Sequence, residues 1–290
     1  MTSTELTLVT GSSGNVGAPL VDFLRAAGRT VIETSLSAPD DPSSADPTNS
    51  DPITRRLDFE DPTTFASALQ GVSRVFLMRP PAISDTKRYI RPFIEEMQRV
   101  GIEHVVLLSL MGVNRAMPHW QIEQDLKASS LGWTFLRPAF FAQNLGGAYR
   151  DDVRLHDRIR LSCGRGKTSF IDARDIAEVA ATILADPTSH RNEHHTLTGG
   201  EAIDYHHVAS MLSAALGRSI VYEPIGLLTY RRELIKQQLP SEYVNVQLLI
   251  NVIARLGLAA RVDGTLERLL GRPPTPLKQY IEDSVALWQR

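Results

Sequence analysis

The stretch that decides the fold reads Leu6-Thr7-Leu8-Val9-Thr10-Gly11-Ser12-Ser13-Gly14-Asn15-Val16-Gly17, an apolar run followed by a glycine-rich turn. The apolar run is typical of a short buried strand. The three glycines allow a tight turn, a close approach of the backbone to a pyrophosphate, and close packing of the next helix on the strand. The pyrophosphate would lie at the N-terminal amides of that helix. The glycine spacing alone is also compatible with an ordinary strand-turn-helix connection.

Composition limits the class of protein. The chain has 290 residues, of which 42% are hydrophobic, enough for one large α/β domain or a main domain with a smaller lobe. Basic and acidic residues number 31 and 33, so charge gives no reason to expect nucleic acid or an anionic membrane. Cys163 is the only cysteine, and we expect it to fill space in a protein of the reducing cytoplasm. We find neither a basic leader nor a run of roughly 18 apolar residues in the sequence, so we expect neither export nor a membrane span.

Strands and helices alternate along the first half of the chain. After Leu6–Val9, the predicted strands are 30–34, 57–59, 75–78, 104–110 and 133–138, and the predicted helices between them are 18–27, 62–69, 89–100 and 118–130. Strands that alternate with helices of about ten residues indicate a parallel sheet with helices on both faces. The sequence therefore predicts an α/β fold with a doubly wound parallel sheet.

The end of the second strand determines the type of dinucleotide. An acid there binds the ribose hydroxyls, whereas an arginine accepts a 2′-phosphate. Glu33 lies at about the interval expected for the acid. Ser35 and Ser37 are alternative hydrogen-bonding partners for a phosphate. The residues at this strand end therefore do not decide between NAD(H) and NADP(H).

A Pro-, Asp- and Ser-rich stretch, 37–52, is interpreted as a mobile loop. Arg55 and Arg56 follow it and either fold back onto a phosphate or form a solvated basic pair. Asp58 ends the predicted third strand, where it either binds the adenine amino group or caps a turn.

Four segments in this order resemble the NmrA-like family of atypical short-chain dehydrogenases/reductases, which bind NAD(P). They are Val9–Gly17, Trp133–Phe141, Phe170–Ala177 and Gly271–Pro274, and the resemblance covers essentially the whole chain. It implies an NAD(P)-binding Rossmann domain at 1–140, to which 170–200 return, and a smaller C-terminal α/β lobe at 141–290 that binds substrate.

The resemblance also implies which residues lie at the cofactor, from the pyrophosphate turn to the nicotinamide pocket at 138–141. We add Thr10 and Ser35 to the residues that the resemblance implies. The predicted cofactor-binding residues are then Thr10, Gly11, Ser13, Gly14, Asn15, Val16, Ser35, Asp58, Leu77, Met78, Arg79, Ser109, Pro138 and Phe141. Many relatives carry an arginine for the 2′-phosphate where this chain has Leu36. NADP(H) is nevertheless favoured over NAD(H).

Typical short-chain dehydrogenases use Tyr-x-x-x-Lys, in which the lysine lowers the tyrosine pKa. The equivalent helix here reads His119-Trp120-Gln121-Ile122-Glu123, without tyrosine or lysine at either motif position. We take His119 as the candidate proton donor, because an imidazole with a pKa near 6.5 titrates close to working pH. Glu123, one turn later, would orient it. The alternative is a partly exposed histidine without a catalytic role.

Other conspicuous residues carry less weight. The pairs His194–His195 and His206–His207 do not predict a metal site, since no cysteine or acid at ligand spacing completes them. Gly164–Thr168 is interpreted as a turn rather than a phosphate loop. Phe140 and Phe141 suit either a core or a nicotinamide contact.

The predicted function is that of an NAD(P)H-dependent oxidoreductase that reduces a small hydrophobic electrophile, a quinone, an imine or a conjugated carbonyl compound. Hydride transfer would proceed without the Tyr-x-x-x-Lys pair. Two alternatives stay open: an NmrA-like regulator that senses the nicotinamide cofactor without redox turnover, and a cofactor-bound isomerase or cyclase. We expect a small-molecule substrate, no nucleic-acid or membrane partner, and a cytoplasmic monomer or homodimer.

Overall fold

The computed structural model describes residues 5–38 and 53–290, and the chain divides into two compact units. The first unit comprises Met1–Pro138 and Arg174–Leu197, and the second comprises Ala139–Ala173 and Thr198–Arg290. Within the described ranges, no single helix is long and apolar enough to span a membrane. Most of the predicted loop at 37–52 lies outside the described residues.

The strands, in chain order, are β1 (Leu6–Val9), β2 (Thr30–Ser35), β3 (Ile53–Arg56), β4 (Val72–Met78), β5 (His104–Leu108), β6 (Gly132–Pro138), β7 (Phe140–Phe141), β8 (Arg158–Leu161), β9 (Lys167–Ile171), β10 (Glu193–Leu197), β11 (Ala202–Asp204) and β12 (Val221–Pro224). The helices are α1 (Gly17–Ala26), α2 (Phe65–Ala68), α3 (Thr86–Tyr89), α4 (Arg91–Val100), α5 (Pro118–Ala128), α6 (Arg150–His156), α7 (Ala173–Ala185), α8 (Tyr205–Leu216), α9 (Leu227–Lys236), α10 (Ser241–Arg255), α11 (Thr265–Leu270) and α12 (Leu277–Asp283).

A seven-stranded sheet forms the centre of the first unit, as far as the described residues define it. Its order is β10-β6-β5-β4-β1-β2-β3, and every neighbouring pair is parallel. The chain leaves β1 toward β2 on one side and later returns to β4 on the other, so the strand order reverses between β1 and β4. This confirms the predicted doubly wound Rossmann-type fold, whose ligands bind at such a reversal, beyond the carboxyl ends of the strands.

Burial on both faces of the sheet explains the apolar strands. Leu8, Val75 and Phe135 are fully buried. Phe93 of α4 packs edge to face against Phe59, with ring centroids 5.4 Å apart. Apolar side chains of the strands, and of the segment after β3 that contains Phe59, thus hold the helices against the sheet.

The predicted third strand at Leu57–Phe59 is wrong. β3 is Ile53–Arg56, and the buried Leu57 and Phe59 follow it in a turn, in which Asp58 Oδ1 accepts a hydrogen bond from Glu60 N at 2.9 Å. Buried residues on either side of a polar residue imitate strand alternation, although here they belong to a turn.

The predicted helix at 89–100 is divided into α3 and α4, with Ile90 between them. Pro92 lies in the first turn of α4. Because proline has no N–H to donate to the preceding turn, it favours the start of a new helix there.

The second unit holds a three-stranded sheet, β11-β9-β7, and a two-stranded sheet, β12-β8. Tyr205 and Trp288 are fully buried in its core, and Trp288 Nε1 donates to the carbonyl oxygen of Leu145 at 3.1 Å. Cys163 is buried and donates to Asn251 Oδ1 at 3.2 Å, and burial raises the pKa of its thiol to about 12. Such a thiol packs as a small side chain and is not a nucleophile.

Candidate functional site: a glycine turn and a polar cluster at the carboxyl ends of the strands

The turn between β1 and α1 requires its glycines for steric reasons. Gly11 has a φ of +62°, a region that other residues rarely adopt. A Cβ added to Gly17 would lie 2.0 Å from the carbonyl oxygen of Gly11, so the start of α1 packs directly on the turn. Thr10 ties the turn to β4, since its hydroxyl accepts from Met78 N at 2.7 Å and donates to Phe76 O at 3.0 Å.

The N-terminus of α1 suits an anion. Among the described residues, no side chain caps this helix, and its first turn contains no acidic residue. The side chains of Ser13 and Asn15 are exposed, whereas Val16 is buried, so Val16 would offer its backbone amide. A ten-residue helix with an uncapped, electropositive end fits the pyrophosphate of a dinucleotide, which residues 11–16 would hold.

The acid at the strand end expected to select the cofactor is engaged by another side chain. Glu33 Oε1 lies 2.6 Å from Arg25 Nη2 of α1, so the candidate NAD-type acid forms an ion pair within the fold. Ser35 Oγ lies 3.1 Å from Ser37 Oγ, and Leu36 between them is 69% exposed. Hydroxyl groups therefore line this end of β2.

Three predicted cofactor residues lie at the end of β4 or just beyond it. Leu77 is fully buried, so only its backbone would face a ligand. Met78 packs over the glycine turn, where a Cβ on Gly11 would lie 2.0 Å from its methyl carbon. Arg79 donates to the carbonyl oxygens of Pro80 and Ile83 at 3.0 and 2.5 Å and thus holds the loop after β4.

A buried polar cluster links β5, α5 and β6. Glu123 of α5 is 1% exposed, and its Oε1 accepts a hydrogen bond from Ser109 Oγ at 2.7 Å. Arg137 donates to both carboxylate oxygens, with Nε at 2.9 Å and Nη2 at 2.6 Å. A bidentate, charge-assisted pair of this kind is strong and directional. It fixes α5 against the carboxyl ends of the two strands.

The sequence interpretation missed this cluster, although it named two of its members. Ser109 follows β5 and Arg137 lies near the end of β6, and these strands are neighbours in the sheet. The sequence did contain a signal for this cluster: two polar residues lie at the ends of predicted neighbouring strands, and an acid lies in the helix between those strands. The expected role of Glu123 changes accordingly, because its carboxylate binds Arg137 and Ser109 rather than orienting His119.

His119 opens α5 with a half-buried side chain whose Nδ1 is buried and has no hydrogen-bond partner among the described residues. Burial, followed by the charge of Arg79, lowers the pKa of His119 to about 4, and the charge of Glu123 opposes the shift. The imidazole is therefore neutral at physiological pH. The expectation that it titrates near working pH is wrong, because it ignored burial and the neighbouring guanidinium.

The remaining predicted residues lie in different parts of the fold. Asp58 caps the turn after β3, which agrees with one of its two readings and leaves the adenine contact as a prediction. Pro138 is buried, and its carbonyl oxygen accepts from Met111 N at 2.9 Å. Phe141 belongs to the second unit, where β7 pairs Phe141 with Ile171.

The histidine pairs do not form a metal site in the part of the chain that the structure describes, since no group of three His, Cys, Asp or Glu side chains there is arranged to hold an ion. His207 Nδ1 lies 2.8 Å from Asp204 Oδ1, the N-cap of α8. Gly164 has a φ of +59° and belongs to the turn between β8 and β9.

The parallel sheet and the glycine turn together define a dinucleotide-binding protein of the Rossmann class. Residues 11–187 match the NAD(P)H-binding family, and the chain belongs to that family, with the NmrA-like atypical short-chain dehydrogenase fold.

Two relatives illustrate the family. The chain is 31% identical over 227 residues to an uncharacterized oxidoreductase of Bacillus subtilis, a match that covers 78% of this chain and 79% of the relative. It is 29% identical over 286 residues to the NAD(P)H azoreductase of Xenophilus azovorans, covering 96% and 98% of the two chains. The chain is thus similar to an oxidoreductase over 78% of its length and to an NAD(P)H azoreductase over 96% of its length.

Two solved structures share the fold. The triphenylmethane reductase of Citrobacter sp. superposes with a TM-score of 0.82 at 20% identity, covering 97% of this chain and 99% of that chain. NmrA, a negative transcriptional regulator in complex with NADP, superposes with a TM-score of 0.74 at 15% identity, covering 98% and 96%.

Proposed function

We propose that this protein is an NAD(P)H-dependent reductase that acts on a small hydrophobic electrophile, a quinone, an imine or a conjugated carbonyl compound. NADP(H) is the preferred cofactor, and when bound it supplies a hydride. The uncapped end of α1 and the backbone of residues 11–16 bind the pyrophosphate. The backbone of Leu77 and the side chain of Met78 border the cofactor at the end of β4.

The observation that carries this proposal is the buried Nδ1 of His119 at the start of α5, which has no hydrogen-bond partner in the part of the chain that the structure describes. A buried polar atom without a partner is costly, so such atoms in a folded protein often await a ligand. In our proposal, His119 makes a hydrogen bond to the oxygen or nitrogen of the substrate. Because its pKa is about 4, it acts as a neutral hydrogen-bonding group rather than as an acid.

The cluster of Glu123, Ser109 and Arg137, here called the Glu123 cluster, includes the helix position at which a typical short-chain dehydrogenase has its lysine. Ser109 and Arg137 hold the Glu123 carboxylate, which therefore positions α5 and does not transfer a proton. The bound dinucleotide would supply the hydride, and the displaced electron pair would move to the substrate oxygen or nitrogen that is attached to the electrophilic atom or conjugated with it. That oxygen or nitrogen, or the carbon conjugated with it, would take the proton from water. Quinones, imines and conjugated carbonyl compounds tolerate this route because they accept hydride without a strong acid.

A second candidate is a regulator that senses the nicotinamide cofactor without redox turnover. The neutral His119 and the absence of a tyrosine in α5 favour it, as does the fold shared with NmrA. A cofactor-bound isomerase or cyclase is a third candidate, supported by the same absence of the Tyr-x-x-x-Lys pair from α5.

Calorimetry with NADPH and NADH, followed by absorbance assays of NADPH oxidation against quinones, imines and enones, tests the proposal. We expect binding of NADPH and turnover of at least one substrate class. Binding without turnover against the whole panel would favour the sensor, and conversion of a substrate without net NADPH oxidation would favour the isomerase. Absence of binding by either dinucleotide at millimolar concentration would refute all three candidates.

A further inference from the structure

Arg79 lies at the carboxyl edge of the sheet, directly after β4. Its Nη1 donates to the carbonyl oxygens of Pro80, Pro81 and Ile83, at 3.0, 3.1 and 2.5 Å. One nitrogen of the guanidinium thus holds the loop after the strand. Nε is buried as well, yet it has no hydrogen-bond partner among the described residues. One N–H of this side chain is therefore left for a ligand.

The positive charge of Arg79 is also unmatched within the described part of the chain. No carboxylate there forms an ion pair with it, and burial lowers its pKa without an opposing acid. Arg137, by contrast, is paired with the carboxylate of Glu123. A half-buried cation without an anion is costly, because it has lost part of its hydration and gained no opposite charge. Arg79 therefore favours a ligand that carries or develops negative charge.

The loop that Arg79 holds is packed with the start of α5. Ile83 of this loop and Ile122 of α5 belong to the same apolar core, and α3, which follows the loop, contacts α5. The charge of Arg79 acts on His119, whose pKa it lowers in addition to burial. Nε of Arg79 and Nδ1 of His119, both buried and without partners in the described ranges, thus belong to one site.

The N-terminus of α5 adds partial positive charge to this site. The helix has eleven residues and begins at Pro118 after an extended Met117, and the described residues provide no side-chain cap. Its first turn, which contains His119, has no acidic residue. The free amides of an uncapped helix end attract negative charge. The site thus combines a guanidinium, a neutral imidazole and a helix N-terminus.

This charge pattern distinguishes between the substrate classes of the proposed function. When a quinone or a conjugated carbonyl compound accepts a hydride from the reduced dinucleotide, a C–H bond forms and the displaced electron pair moves to the oxygen. The product is a phenolate or an enolate, which then takes a proton from water. A cation beside that oxygen stabilises its negative charge as it develops. A protonated imine is positive before it accepts hydride and neutral afterwards, so the same cation repels it.

We infer that Arg79 and His119 together bind the oxygen on which this negative charge develops, and that the substrate is a quinone or a conjugated carbonyl compound rather than an imine. The inference rests on the proposed function, since it presumes hydride transfer from a bound dinucleotide. Arg79 is a catalytic residue in this assignment, whereas the Glu123 cluster only positions α5.

Kinetics with neutral and cationic electrophiles test this assignment. We expect the wild-type protein to reduce at least one member of a panel of neutral quinones and enones, and to reduce an N-methyl dihydroisoquinolinium salt more slowly or not at all. Arg79→Met lowers kcat/KM for the neutral substrate by about a hundredfold, as expected for loss of a donor to an oxyanion, and changes NADPH affinity by less than about twofold. Reduction of the salt stays the same or becomes faster. Arg79→Lys keeps the charge and retains part of the activity.

Binding of p-nitrophenol in the presence of NADP+ gives a measurement without turnover. We expect the phenolate to bind more tightly than the phenol, so that the pKa of the bound phenol, followed by its absorbance, falls by about one unit or more. Arg79→Met removes this shift. Arg99→Met is the matched control, because it removes an exposed guanidinium from α4, and it leaves the shift and the kinetics unchanged.

Thermal unfolding shows whether each variant is folded. If Arg79→Met does not fold, Arg79→Lys and the wild-type phenol titration still decide, since a bound phenol whose pKa is not lowered overturns the inference. Equal losses with both kinds of substrate, or a loss of NADPH affinity as large as the loss of kcat/KM, also overturn it. A wild-type protein that reduces only the iminium salt refutes the inference and leaves the proposed function intact. Binding of neither NADPH nor NADH refutes the proposed function itself.

Discussion

The guanidinium of Arg137 donates two hydrogen bonds to the carboxylate of Glu123, at 2.9 and 2.6 Å, and the carboxylate is almost completely buried. The pair joins the C-terminal end of β6 to the middle of α5. Because α5 also carries His119, the position of the candidate substrate-binding imidazole depends on this ion pair.

Replacing Glu123 with glutamine leaves Arg137 with an uncompensated charge beside the core. We expect Glu123→Gln to lower the free energy of unfolding by about 3 kcal/mol, because removal of one partner from a buried ion pair leaves the other unpaired. Urea denaturation measures the loss. Glu96→Gln is the control, since Glu96 pairs with the exposed Arg99 and such pairs contribute little. Equal effects of the two variants would contradict the structural role of the Glu123 cluster.

The glycine turn tolerates no side chain at its last position. A Cβ on Gly17 would lie 2.0 Å from Gly11 O and 2.9 Å from Ser12 Cα, so Gly17→Ala must displace the turn or α1. We expect a loss of about 1–3 kcal/mol of stability, typical of overpacking, together with a marked loss of NADPH affinity. Denaturation measures the loss of stability, and calorimetry on the same samples measures the NADPH affinity.

Gly147→Ala is a suitable comparison for this variant, because its added Cβ would be in ordinary contact, 3.5 Å from Gln143 O. If Gly17→Ala bound NADPH as the wild-type protein does, the turn would not be the pyrophosphate site.

The sequence was sufficient for the architecture because the signals for it are local. The glycine spacing and the alternation of apolar strands with helices predicted the parallel sheet that the structure contains. Predictions failed where a local pattern had two physical causes. Leu57 and Phe59 are buried as a strand would bury them, but they flank a turn aspartate, and Pro92 divides a helix whose apolar periodicity runs through the break.

The candidate site was less predictable because its contacts join distant parts of the chain. Ser109 and Arg137 each lie 14 residues from Glu123, and only the sheet order brings them to one carboxylate. The pKa of His119 depends on burial and on Arg79, which no sequence spacing relates to it. Likewise Glu33 has the interval of a ribose-binding acid, yet it forms an ion pair with Arg25.

His104 makes the stability of the first unit depend on pH. It is fully buried, and its Nε2 lies 2.9 Å from Thr134 Oγ1, whose own proton goes to His190 O at 2.7 Å. Nε2 must therefore be the protonated nitrogen of a neutral imidazole, while the buried Nδ1 has no partner in the described ranges. Burial, and then the charges of Arg191 and Arg74, lowers the pKa of His104 from 6.5 to about 4.

Since the folded state resists protonation, this contribution to stability is complete above pH 6.5 and is lost as the pH falls toward 4. Each unit of pKa difference corresponds to about 1.4 kcal/mol. We expect His104→Gln to flatten the fall in unfolding free energy over this interval without abolishing it, because His119 has a pKa lowered in the same direction. Chemical denaturation at several pH values tests this, and an unchanged slope in the variant would contradict it.

The role proposed for His119 predicts an effect on rate without an effect on the pH profile. With a pKa of about 4, His119 is uncharged throughout the neutral range, so its removal deletes a hydrogen bond and not a titrating acid. We expect His119→Ala to lower kcat/KM by about tenfold for whichever substrate of the panel the wild-type protein reduces. The dependence of kcat/KM on pH between about pH 5.5 and 8 should keep its shape. His206→Ala, which removes an exposed histidine from α8, should leave both unchanged. An inflection near pH 6.5 in the wild-type protein that His119→Ala abolishes would instead identify His119 as a general acid, and would show that cofactor or substrate binding raises its pKa.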